Sequence, residues 1–210
     1  GGVVDGTVNP GACLSAWCAN FVGFLAGSTA TLSIDGAGSE LRVMRQFDVA
    51  NTWVDSNAGT PGATSDATIA ITNGGTLRSN NVVAGSGRFW NGYQGNGLEQ
   101  SIAHITVDGV GSRWIAGANT LDNTGVNFTL GAQPLAQSFM TLSNGALLQV
   151  DSSANGQGAS LWVGSNGGQA TLDVQSGSQV TVLGATGNFG STLNIGNGAG
   201  SVGTVTVTGP

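Results

Sequence analysis

The sequence predicts an all-β chain wound as a parallel β-helix, with three short strands per coil and about six coils in 210 residues. Three observations predict it. Apolar residues come in pairs separated by one residue, the mark of a strand with one buried face. The pairs return at a nearly constant interval, the mark of a solenoid. Gly, Asn, Ser and Asp fill the gaps, and these are the residues that turn a chain tightly.

The first strand of each coil is the clearest. Its second apolar residue is Ile34, Ile71, Val107, Leu142, Val174 and Val207, at intervals of 37, 36, 35, 32 and 33 residues. An apolar partner stands two positions earlier each time: Leu32, Ile69, Ile105, Met140, Leu172 and Val205. The second and third strands follow at a fixed rhythm. One copy runs Leu172/Val174, Val180/Val182, Leu193/Ile195; the copy before it runs Met140/Leu142, Leu148/Val150, Leu161/Val163. In the first two coils the third strand is placed on Val49 and Val83. A meandering sandwich would also alternate, but it would not need to close every 32–37 residues.

The phrase Asp-Gly-x-Gly-Ser occurs twice, at 35–39 and 108–112. It reads as a corner between the first and second strand, with Leu41 and Trp114 then pointing inward. Asn73, Asn144, Asn166 and Asn197 fall at similar turns, where Asn tolerates left-handed backbone. A metal role for Asp35 and Asp108 is disfavoured: they lie two coils apart and the calcium-binding nonapeptide pattern is absent.

Regular coils step 11 or 12 residues from the third strand to the next first strand; the two earliest take 22 and 24. Insertions are therefore expected near 51–66 and 85–102, stacked on one face of the solenoid, where repeat proteins often bind. They hold Trp53 and Asp55, and Arg88, Trp90, Tyr93 and Glu99. Aromatic and Arg residues of this kind make binding hot spots; a satellite core beneath long loops is the alternative. Trp162 lies between Leu161 and Val163 and faces outward, as do Asp48, Asp173 and His104.

Residues 1–27 lie outside the repeat and read as a cap or irregular segment ahead of a β-helix over 28–210. Cys13 and Cys18 suggest a small disulfide loop, with two free thiols as the alternative. The chain opens on "GGVVDG" and stops on "TVTVTGP", and reads as a piece of something longer.

Composition narrows the function. Only 8% of residues are charged, the net charge is −6, and all five cations are Arg. Nucleic acid and anionic membrane surfaces need clustered cations and are disfavoured as partners. The longest apolar run, 21–27, is too short to span a bilayer. One His and scattered acids suggest no catalytic constellation, no metal site and no cofactor.

The phrases "VDGVGSRW", "ATLDVQSGSQVTV", "STLNIGNGAG" and "GTVTVTG" resemble the passenger-associated repeats of bacterial autotransporter (type V secretion) adhesins, over roughly 28–210. The resemblance implies a right-handed β-helix exported by a Gram-negative cell through the translocator β-barrel of the same precursor. The expected place is extracellular or on the cell surface. Expected partners are a host-cell surface protein, matrix or glycan. Self-association in bacterial aggregation and a non-binding stalk are the alternatives, with a polysaccharide-acting β-helix enzyme less favoured.

Overall fold

The computed structural model describes residues 3–6, 20–24, 27–43, 46–51, 64–86, 100–117, 125–185 and 190–209. The chain enters as β1 (Val3–Gly6) and β2 (Asn20–Phe24). A first coil follows: β3 (Thr29–Asp35), β4 (Glu40–Val43) and β5 (Phe47–Asn51). The second is β6 (Thr64–Thr72), β7 (Thr76–Ser79) and β8 (Val82–Ser86). The third is β9 (Gln100–Asp108), β10 (Arg113–Gly117) and β11 (Val126–Leu130). The fourth is β12 (Ala136–Ser143), β13 (Leu147–Asp151) and β14 (Ala159–Ser165), with a 3-10 turn at Ser153–Asn155. The fifth is β15 (Gln169–Gln175), β16 (Gln179–Leu183) and β17 (Ser191–Asn197), and β18 (Val202–Thr208) ends the described chain.

Every strand pairs parallel with its equivalent one coil away, giving three six-stranded sheets. The protein is thus a parallel β-solenoid with three strands per coil. The first sheet holds β3, β6, β9, β12, β15 and β18; the second holds β1, β4, β7, β10, β13 and β16; the third holds the rest. The solenoid already includes strands within 1–27: β1 pairs with β4, and β2 with β5.

Ladder register explains the sequence period. Ile34, Ile71, Val107, Leu142, Val174 and Val207 are direct partners in turn across the first sheet. Inside the solenoid these residues stack into apolar columns that no single coil could bury. Trp114 is fully buried between Phe47 and Phe128, edge to face with each, at centroid distances of 5.8 and 5.0 Å. Its indole Nε1 donates to Ser79 Oγ at 2.9 Å, which satisfies the one polar atom the ring takes inside.

Three expectations need correction. The third strand of the second coil is one residue out of the expected register: Val82 and Ala84 point inward, fully buried, and Val83 faces out. Val49 pairs with Ala84 and Ala84 with Leu130, so the ladder fixes it. Asp48 occupies an outward position but is 1% exposed. Gln46 Nε2 donates to its Oδ1 at 2.6 Å, one of the bonds a buried carboxylate requires. Asn197 is not left-handed; Gly196 (φ 66°) and Gly198 (φ 108°) on either side take that conformation, whereas Asn73, Asn144 and Asn166 take it themselves.

Candidate binding face

Two corners position the surface. Between the third sheet and the first, the chain turns through a column of left-handed residues: Gly23, Ala50, Gly85, Gly131, Gly164 and Gly196, with φ of 51–72°. Each follows the last inward residue of its strand. Glycine is needed here because the first strand two coils on, one beyond the strand that the corner itself leads into, crosses close by. A Cβ on Gly131 would lie 2.3 Å from Gln169 O, and one on Gly164 2.3 Å from Val202 O. Ser138 closes the corner: its hydroxyl donates to Ala84 O at 2.7 Å and accepts from Gly131 N at 3.0 Å.

The insertions leave from this same corner. Residues 52–63 run from the end of β5 to the start of β6, and 87–99 from β8 to β9. Asn51 is the ladder partner of Ser86, and Thr64 of Gln100, so both segments depart and return at neighbouring positions. Trp53, Asp55, Arg88, Trp90, Tyr93 and Glu99 lie outside the described residues. So do Cys13 and Cys18.

The corner between first and second sheets is built from the doubled phrase. Asp35 Oδ1 accepts from Thr72 Oγ1 at 2.6 Å and Asn73 Nδ2 at 2.7 Å, one coil on. Asp108 Oδ1 accepts from Ser143 Oγ and Asn144 Nδ2 at the same two distances. The Ser of the second phrase reaches the other way: Ser112 Oγ accepts from Gly74 N at 2.9 Å. Asp-Gly-x-Gly-Ser is therefore an inter-coil clamp. Its hydrogen bonds hold the Asp35 carboxyl below the usual range, those from Thr72 first and Asn73 second. Among the described residues no group of three or more His, Cys, Asp or Glu could hold a metal ion.

Between these corners lies the outer face of the first sheet. One outward row runs Thr31, Thr68, His104, Phe139, Thr171, Thr204; the next runs Ser33, Ala70, Thr106, Thr141, Asp173, Thr206. His104 is exposed, and its ring stacks on Phe139 at 5.3 Å, with the planes 14° apart. Phe139 is 41% exposed. Asp173 is half-buried on this face, and Trp162 is half-buried on the outer side of the third sheet, between Thr129 and Asn194.

The His104–Phe139 stack was missed in sequence because neither residue belongs to a motif. A signal did exist: each immediately precedes the first member of its strand's anchor pair, Ile105 and Met140. The left-handed column also had one. Gly follows the anchors Val22, Ala84, Leu130, Val163 and Ile195, and it would have set Ala84 rather than Val83 as the inward residue.

Among the described residues, the second sheet carries the cations. Arg42 Nε and Arg78 Nε donate to Glu40 Oε1 at 2.6 and 2.8 Å, and Arg113 Nε donates to Thr76 Oγ1 at 3.1 Å. The hydrogen bond from Arg42 holds Glu40 below the usual range, against an opposing effect of burial; the charge of Arg78 adds to the lowering. A shallow groove of about 260 Å³ runs beside Arg113 toward Gln179.

Comparison with protein-family models, with curated proteins and with solved structures finds no match to this chain.

Proposed function

We propose that the protein is a segment of an exported bacterial β-helix passenger that contacts host cells or their matrix, at the cell surface or after release. One observation carries the reading: two long insertions that together hold Trp53, Phe89, Trp90 and Tyr93 leave from one corner of the solenoid, beside a hydroxyl-rich face that exposes Phe139. A solenoid that anchors two insertions at neighbouring ladder positions suits recognition. The likeness of the repeats to adhesin passengers supports the same reading. The role is binding rather than catalysis. Among the described residues, Asp35, Asp108 and Glu40 are engaged in hydrogen bonds that join coils, a structural use of carboxylates that supports this reading.

A second reading, self-association along the rod, is favoured by the charge pattern. On the outer side of the second sheet Arg113 is joined by Arg42 and Arg78, which share Glu40, whereas the first sheet presents Asp66 and Asp173. Opposite faces of two copies could pair.

The test is adherence of purified 1–210 to epithelial cells, beside a Trp53→Ala/Trp90→Ala variant whose β-structure is verified by circular dichroism. Adherence lost in the folded variant supports the adhesive reading. An unaffected variant, or a parent that adheres to no cell, overturns a recognition role for the insertions. Concentration-dependent dimers that dissolve in salt would favour the second reading.

A further inference from the structure

We infer that the outer face of the first sheet carries a saccharide subsite beside Phe139, and that its ligand is a neutral pyranose chain. The inference names the ligand class of the adhesive reading above and rests on it.

Phe139 stands between His104 and Thr171 in the outward row. The His104 ring covers one of its faces. On the other side stands Thr171, a much smaller side chain, and Phe139 remains 41% exposed. Thr204 follows Thr171. The result is a shelf about two strand spacings long, close to 10 Å, with an aromatic wall at one end and a threonine floor. Gln169 and Asp173 stand two residues to either side of Thr171 on β15, and Thr206 lies beyond Asp173.

These polar groups are not used by the fold. Among the described residues, the side chains of Gln169, Thr171, Asp173, Thr204 and Thr206 make no hydrogen bond or ion pair. The contrast with Asp35 and Asp108 is direct, since each of those accepts two hydrogen bonds from the next coil. Asp173 sits on the same sheet with its acceptors unengaged, one diagonal step from an exposed aromatic ring.

A pyranose matches this arrangement. Its axial C–H groups present an apolar patch that packs on an aromatic face. Its equatorial hydroxyls donate to a carboxylate and exchange hydrogen bonds with amides and hydroxyls. The ligand is neutral because the surroundings are not. The first-sheet strands hold Asp35, Asp66, Asp108 and Asp173 and no Arg or Lys. A carboxylated or sulfated sugar would be repelled there.

The experiment titrates residues 1–210 with cellohexaose, maltohexaose and a poly-N-acetyllactosamine hexasaccharide, and with the sialylated form of the last. Saturation-transfer difference NMR reads binding and contact protons. The variants are Phe139→Ala, Phe139→Trp, Asp173→Asn, and Gln149→Ala on the second sheet as control. Phe139 and Asp173 point outward, so each variant keeps its core, checked by circular dichroism. At least one neutral hexasaccharide should bind, with transfer concentrated on ring C–H protons. Phe139→Ala should weaken it by about tenfold and Asp173→Asn by about three- to tenfold. Phe139→Trp and Gln149→Ala should bind as the parent does, and the sialylated chain more weakly than its neutral form. Absence of binding by every neutral chain up to about 10 mM, or an unaffected Phe139→Ala, overturns the subsite. Cell adherence of the same proteins separates the two readings. A parent that adheres to cells but binds no hexasaccharide removes the subsite and leaves adhesion standing. One that binds a hexasaccharide through Phe139 but no cell keeps the subsite and removes adhesion.

Discussion

At the end of each third strand the backbone turns left-handed, and only Ala50 does so with a side chain attached (φ 51°). A left-handed L-residue costs roughly 1–2 kcal/mol, and at most of these positions a contact is added to that cost. Gly164→Ala would bring its methyl to 2.3 Å from Val202 O, a backbone atom fixed in a ladder. We expect this substitution to lower stability by about 2–4 kcal/mol. Ala50→Gly sheds the strain but also a buried methyl and some backbone order, and should stay within about 1 kcal/mol of the parent. Urea unfolding of the two variants checks both, and similar losses in the two would show that the column is not constrained as described.

Among elements, the corners respond to acid. Asp35 and Glu40 have lowered pKa values, the first from the Thr72 and Asn73 hydrogen bonds, the second chiefly from Arg42. Asp151 is lowered too: burial pushes it up, but the hydrogen bonds from Ser153 and Gln149 together outweigh that. A carboxyl whose folded pKa is depressed stabilises the fold fully above its unfolded value, near 4, and loses that contribution as pH falls through the folded value. The melting temperature should therefore be nearly flat from about pH 7 to pH 5 and fall below about pH 4. An Asp35→Asn/Asp151→Asn variant should fall less steeply over the same range. Elements also show where sequence reasoning reaches. The first strands were legible because alternation and a common interval agree in six copies. The third strand of coil two was not, since Val82 and Val83 are both apolar and alternation alone cannot choose between them. The burial of Asp48 was not legible either, because alternation gives the side of a strand and not what covers it. At the binding face, the extra length of the two insertions was readable. The His104–Phe139 stack needed the ladder register first, because the two residues are 35 positions apart.

At the scale of the molecule, stability is a sum over neighbouring coils, and it is uneven. The middle coils bury Trp114, Phe128, Ile105 and Leu142 almost completely, whereas Leu193, Ile195 and Val207 are 53, 49 and 74% exposed. Amide hydrogen exchange should therefore be slowest in β6, β9 and β12 and fastest in β17 and β18. Uniform protection along the rod would mean that the coils unfold as a single unit.

The clamp phrase has a consequence for how such a chain changes over generations. Its two copies begin at Asp35 and Asp108, two coils apart, and each meets an equivalent Thr-Asn or Ser-Asn pair. Unequal recombination between the DNA encoding them would delete residues 36–108 and join Asp35 to Gly109. The hybrid corner would still read Asp-Gly-x-Gly-Ser, and its carboxylate would still find Ser143 and Asn144. The product is a rod shorter by two strand spacings, about 10 Å, with its hydrogen-bonded seam intact and both insertions gone. A lineage could in this way give up reach and loops in a single genetic step, with the core to be repacked only where Trp114 loses Phe47 and Ser79.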